Sequence, residues 1–179
     1  MEKTIKEKKI YQSDFLEIYE DEVLVLNNQH KAKRIYVKHP GGAAIIALTS
    51  DNKLCLVKQY RHPIKGMSLE IPAGKKDSKD EDGLLCAKRE LEEETGYQSD
   101  DVTLLYKMYP CIGYSDEILD IYLAKNIYKV EQPLQADEDE FIDINFYTKD
   151  EVKQLLKTEK IIDAKTLIAI QYYLNMDVR

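Results

Sequence analysis

Apolar and polar positions alternate in short runs through the first forty residues. Phe15, Glu17 and Tyr19, then Val23 and Val25, mark a period of two, and Arg34-Ile35-Tyr36-Val37 is another brief β-like stretch. Glu20-Asp21-Glu22 and Asn27-Asn28-Gln29 read as breaks between strands. The pattern predicts a small antiparallel β arm over residues 1–40, closed by Pro40-Gly41-Gly42, with the rest of the chain, 41–179, as the main domain. Residues 43–48 and 54–57 flank Ser50-Asp51-Asn52 and predict a hairpin entering a more buried sheet. Residues 69–71 form a short run that turns at Pro72-Ala73-Gly74. Gly41-Gly42 is too short for a phosphate loop and reads as a tight turn.

Beyond a charged loop at 75–83 the period changes to that of a helix. Leu84, Ala87, Leu91 and Thr95 lie on one stripe, Asp82 is the preferred N-cap over Ser78, and Gly96 ends the helix as its C′ residue. Residues 102–109, 119–124 and 141–146 predict further strands. Thr148 with Glu151 is a capping box opening a second helix to about 156, and residues 164–174 form a third. Strands and helices mix without a regular alternation, which favours an α+β class or a sheet flanked by helices over a regular βαβ array.

The chain has 179 residues, one domain's length with room for a small appended subdomain. Burial of roughly 70% of the unfolded surface is expected at this size, so no disulfide or structural metal is needed. Lys and Arg total 26 against 33 Asp and Glu, a net charge of −7 with the signs interleaved. That balance argues against a general nucleic-acid binder, which needs a cationic surface. No apolar run reaches the ~20 residues that span a bilayer. The opening MEKTIKEKKI has no hydrophobic stretch of signal type. Cys55, Cys86 and Cys111 are odd in number and unpaired in spacing, as expected of thiols in the cytoplasm.

Chemistry concentrates in Arg89-Glu90-Leu91-Glu92-Glu93-Glu94-Thr95-Gly96-Tyr97. On a helix Glu90 and Glu94 share one face, with Glu93 beside them. Like charges at this spacing cost a helix about 0.2–0.5 kcal/mol per pair. Arg89 can reach Glu93 at i+4, which leaves Glu90 and Glu94 facing the same space. Hard divalent cations favour several carboxylate oxygens with room for water and a substrate phosphate. A solvated acidic face is the plain alternative for such a run taken alone.

Together with Gly74 and Glu81, this stretch resembles the box of the Nudix hydrolases, G-x5-E-x7-R-E-U-x-E-E-x-G-U, where U is apolar. Every position from Glu81 onward matches. Six residues rather than five separate Gly74 from Glu81, read as an insertion in a loop. The resemblance extends over nearly the whole chain to the ADP-ribose pyrophosphatase branch, through Gln59-Tyr60-Arg61, Leu69-Glu70-Ile71-Pro72-Ala73-Gly74, Asp137-Glu138-Asp139-Glu140-Phe141 and Asp163-Ala164-Lys165-Thr166. In the 109–117 stretch Ile112 stands where that branch has Pro before Gly113.

The resemblance implies a Nudix α/β/α sandwich with a mixed sheet, preceded by the N-terminal antiparallel subdomain, and a homodimer in which the arm is exchanged. It implies Mg2+, with Mn2+ as a substitute, held by Glu90, Glu94, Glu93 and the backbone carbonyl of Ala73, with Glu140 approaching from a distant loop. Glu93 is alternatively the partner of Arg89. Glu138 is the candidate general base, Glu90 and Glu93 complete the catalytic set, and Arg61 and Glu70 fall on the substrate side. Glu81 is read as fixing the loop and helix start.

The expected reaction is Mg2+-dependent hydrolysis of ADP-ribose to AMP and ribose 5-phosphate, or cleavage of a related nucleoside diphosphate sugar, a small-molecule substrate. The rivals are another NDP-sugar pyrophosphatase and a Nudix domain that binds its ligand without turnover. His30, His39 and His62 show no metal-binding spacing, and Gly113-Tyr114-Ser115-Asp116-Glu117 lacks the second Gly of a serine-hydrolase elbow.

Overall fold

The computed structural model describes residues 1–135, 141–158 and 160–176. The chain opens with β1 (Glu2–Lys6), β2 (Lys9–Gln12), β3 (Glu17–Val25) and β4 (His30–Lys38), a four-stranded antiparallel sheet in which β3 pairs with all three others. The turn at Asn27-Asn28-Gln29 falls where the polar run indicated, with Gln29 at φ 56°. Glu20-Asp21-Glu22 does not break the chain. It lies inside β3, where Asp21 is 5% exposed and accepts bonds from Lys8 N and the Tyr36 hydroxyl.

The main sheets follow. β5 (Gly42–Ala47), β8 (Ala73–Lys75), β10 (Asp101–Met108) and β11 (Leu119–Lys125) form a mixed sheet in the order β10-β11-β5-β8, with β5 and β11 parallel. β6 (Leu54–Arg61), β7 (Gly66–Glu70) and β13 (Asp143–Tyr147) form an antiparallel sheet ordered β13-β6-β7. β9 (Tyr97–Gln98) and β12 (Tyr128–Lys129) are a minor pair. The expected hairpin between residues 43–48 and 54–57 is realised only as one bridge, Leu48 to Leu54. Past it β5 and β6 diverge into different sheets. Likewise only Pro72 breaks the chain at 72–74, because Ala73 and Gly74 already belong to β8.

Helix α1 (Gly83–Thr95) carries the acidic run, with Asp82 accepting from Leu84 N and Leu85 N and Gly96 closing it at φ 71°. Helices α2 (Lys149–Lys157) and α3 (Ala164–Asn175) complete the fold, and α2 opens with the full Thr148–Glu151 capping box. Strand β5 is buried on both faces, as a parallel strand between helices must be. Ala43, Ile45 and Ala47 pack with Cys86, Ala87 and Leu91 of α1. Ala44 and Ile46 pack with Val152 of α2 and Ala169, Ile170 and Tyr173 of α3. The result is an α+β fold with a helix layer on each side of the sheet. No helix among the described residues is long and apolar enough to cross a membrane.

Candidate active site

The site is assembled where α1 passes beneath the bend between β7 and β8. Glu94 is only 5% exposed, and its Oε2 accepts a hydrogen bond from Ala73 N at 3.1 Å. One turn earlier, Glu90 lies over Gly74. A Cβ built on that glycine would fall 2.1 Å from the Glu90 carboxylate, so the absent side chain is what lets the acid sit against the backbone. Two carboxylates of one helix turn are thus held against consecutive residues of one strand.

Arg89 explains how the helix tolerates its acids. Its Nη1 donates to Glu90 Oε1 at 2.8 Å and to Glu93 Oε2 at 2.9 Å, while Nη2 donates to the Lys75 carbonyl and lies 3.6 Å from Glu81. Burial works against the guanidinium's charge, but Glu90 and Glu93 outweigh it and hold the group firmly protonated. Glu81 also accepts from Asp77 N at 2.6 Å, which folds the loop carrying the extra residue. Glu92, the remaining acid of the run, turns away. It accepts from Gln98 Nε2 and Leu134 N and ties α1 to the strand that follows it.

The carboxylates face a hard-cation chemistry: all donors are oxygens, at i, i+3 and i+4 on one helix, beside a backbone stripped of its Cβ at Gly74. Those residues fit a divalent ion. Among the described residues no three His, Cys, Asp or Glu side chains are already gathered as a metal group, and Arg89 bridges Glu90 and Glu93 instead. Glu138 and Glu140, the expected base and distant ligand, lie outside the described residues.

A cavity of about 310 Å3 opens beside Ala73 and Gly74, lined also by Arg61, Glu117, Asp163 and Lys165. Glu70, 3% exposed, anchors its cations. Arg61 donates to Glu70 Oε1 at 2.8 Å and to Oε2 at 2.7 Å, a bidentate pair, and Lys165 donates to Oε2 as well. Burial alone would push the Glu70 carboxyl up. The Arg61 hydrogen bonds and the Lys165 ammonium reverse that and hold it at about 2. Glu70 is therefore committed to orienting two cations. Lys165 also donates to Asp163 at 3.0 Å. Neither Lys165 nor Asp163 received a role from the sequence, since Lys165 lies 95 residues from its carboxylate partner. The signal present was the Asp163-Ala164-Lys165-Thr166 stretch itself.

On the other side of the bend, Lys76 pairs at 2.9 Å with Asp120, which is 1% exposed, and Lys76 N donates to Gly41 O. Burial pushes the Cys86 thiol, near the Lys75 carbonyl, up to about 12, so it offers no thiolate at neutral pH. A larger groove of about 820 Å3, between Tyr106 and Tyr172, has no carboxylate among the described residues that line it.

The NUDIX domain model matches residues 38–169, and the chain belongs to the Nudix family. Within that family it is a pyrophosphohydrolase. It is 39% identical over 171 residues to an ADP-ribose pyrophosphatase of Bacillus subtilis, covering 96% of this chain and 91% of that one. Over the same shares it is 44% identical to a protein of Bacillus methanolicus named methanol dehydrogenase activator. A GDP-mannose pyrophosphatase of Yersinia enterocolitica is 30% identical over 149 residues, 78% of this chain and 76% of that one. A solved structure described as an ADP compounds hydrolase shares the fold at TM-score 0.79 and 21% identity, covering 95% of this chain and 90% of the other.

Proposed function

We propose that this chain hydrolyses the diphosphate bond of ADP-ribose, giving AMP and ribose 5-phosphate, or of a closely related nucleoside diphosphate sugar, with Mg2+ as cofactor and Mn2+ as a substitute. The observation that carries the reading is the seating of Glu94 and Glu90 against Ala73 and Gly74, two residues that line one cavity together with Arg61 and Lys165. Relatives named for ADP-ribose and GDP-mannose support the substrate class.

In this reading Glu90, Glu93, Glu94, the Ala73 carbonyl and Glu140 would hold the metal. Bound there, it would neutralise the diphosphate oxygens that otherwise repel a nucleophile and would acidify a water. Arg61, fixed by Glu70, binds an anionic or hydroxyl group of the substrate. Glu138 accepts the proton of the attacking water as the bridging oxygen leaves with the departing phosphate. Arg89 keeps the acids from repelling one another while the helix folds.

A homodimer is part of the same proposal. The arm leaves Ile5, Ile10, Tyr11 and Ile35 exposed, and a second copy would cover them. The free thiols Cys55, Cys86 and Cys111 suit the cytoplasm. Release of nucleoside monophosphate from a panel of NDP-sugars, with and without Mg2+, tests the assignment. Turnover of ADP-ribose above the other sugars is expected, and binding without turnover would make the chain a ligand-binding domain.

The relative named methanol dehydrogenase activator favours a second reading, in which the same hydrolysis serves to activate another enzyme. Methanol oxidation by a methanol dehydrogenase, measured with and without this chain, separates the two.

A further inference from the structure

The bend that joins β7 to β8 runs through Ile71, Pro72 and Ala73. Proline has no N–H, so these residues offer only two backbone donors, at Ile71 and Ala73. Glu94 of α1 accepts from Ala73 N. The other donor is taken by a residue 95 positions away: Ile71 N donates to Thr166 Oγ1 at 2.9 Å. Thr166 is 0% exposed, and its hydroxyl donates in turn to Asp163 Oδ2 at 2.6 Å. Capping of α3 does not require that hydroxyl, because Asp163 already accepts from Thr166 N. The Pro72 carbonyl is held separately, by Ile45 N at 2.9 Å.

We propose that Thr166 is a positioning residue for the hydrolytic site, its hydroxyl fixing the Ile71 end of the bend while Glu94 fixes the Ala73 end. The inference rests on the function proposed above. It acts through the backbone: Glu70 precedes Ile71 and orients Arg61 and Lys165, while Ala73 follows Pro72 and donates its N–H to Glu94. Asp163 joins both parts, since its Oδ2 receives Thr166 Oγ1 and the Lys165 ammonium. One buried hydroxyl therefore sets the spacing between the substrate-side cations and the carboxylate helix. Displacements of about 1 Å in such an arrangement cost about a hundredfold in rate.

Thr166→Val keeps the shape and removes the hydroxyl, and Thr166→Ser keeps the hydroxyl and removes the methyl. In the full chain with ADP-ribose and saturating Mg2+, Thr166→Val should lower kcat about tenfold to a hundredfold with KM within about threefold. Thr166→Ser should stay within about threefold of the parent. A general loss of stability would lower the folded fraction and leave kcat per folded molecule intact. If Thr166→Val does not accumulate folded, Thr166→Cys, with a weaker donor and acceptor, is measured in its place. Unchanged kcat in a folded variant without the hydroxyl overturns the inference. So does a Thr166→Ser enzyme as impaired as Thr166→Val, because the methyl would then be what matters. Absence of turnover in the parent chain, by contrast, overturns the proposed function itself.

Discussion

Glu94 and Ala73 meet across 21 residues of sequence, the carboxylate accepting the amide hydrogen bond at 3.1 Å. The contact ties the acid-bearing helix to the strand that follows the Pro72 bend, and a neutral amide could still make it. Glu94→Gln is therefore expected to fold with a thermal midpoint near that of the parent. Loss of the charge should lower kcat by about 10²–10³-fold, the equivalent of several kcal/mol of transition-state stabilisation. Steady-state kinetics on ADP-ribose, beside a melting curve, check both halves.

Gly74→Ala separates activity from stability in another way. The new Cβ would lie 2.1 Å from the Glu90 carboxylate, the far end of a flexible side chain that can swing aside. A change in stability below about 1 kcal/mol is expected, since the fold needs no strained backbone there. Activity should fall at least about tenfold as Glu90 leaves its seat. Denaturant titration and kcat measured on the same preparation decide it.

Gly83→Ala should have the opposite sign from the helix rule. Replacing glycine by alanine in a helix ordinarily gains about 1 kcal/mol. Here the Cβ would meet Asp120 Oδ2 at 2.3 Å and the Tyr122 hydroxyl at 2.8 Å, both in a packed interior. Overpacking of that kind costs about 1–3 kcal/mol, so a net loss of stability is expected. Urea unfolding of the variant measures it, and a gain would show that Asp120 moves freely.

Acid should weaken the fold through Glu70. Its carboxyl sits at about 2 in the folded chain against an ordinary 4.5, so its contribution is complete above about pH 4.5 and shrinks as the pH falls toward 2. The full effect corresponds to about 3 kcal/mol. Unfolding free energies between pH 2 and 5 should fall more steeply for the parent than for Glu70→Gln. Equal slopes would mean that Arg61 and Lys165 do not hold this charge.

Helix α1 was legible in the sequence because everything that defines it is local. Asp82, the apolar stripe and Gly96 lie within fifteen residues, and the acids ride on the same turns. The division of the central strands was not. Leu48 and Leu54 pair as a hairpin would, but β5 then joins β11 and β8, partners chosen by packing against α1 and α3. Glu20-Asp21-Glu22 misled because a polar run normally marks a turn. Asp21 instead satisfies its carboxylate inside the arm through Lys8 N and Tyr36. In the site, Arg61 and Glu70 stood out separately as substrate-side residues. Their mutual pairing, and the arrival of Lys165 and Thr166 from the last helix, depend on tertiary contacts that no local spacing encodes.

The central claim, that the acids of α1 hold divalent ions beside Ala73, is tested most directly by anomalous diffraction from crystals of the chain soaked in Mn2+. A peak within coordination distance of the Glu90 and Glu94 oxygens is expected in the parent, weakened or gone in Glu94→Gln crystals. Fully occupied Mn2+ elsewhere, with none among these carboxylates and Arg89 still bridging Glu90 and Glu93, would contradict the account.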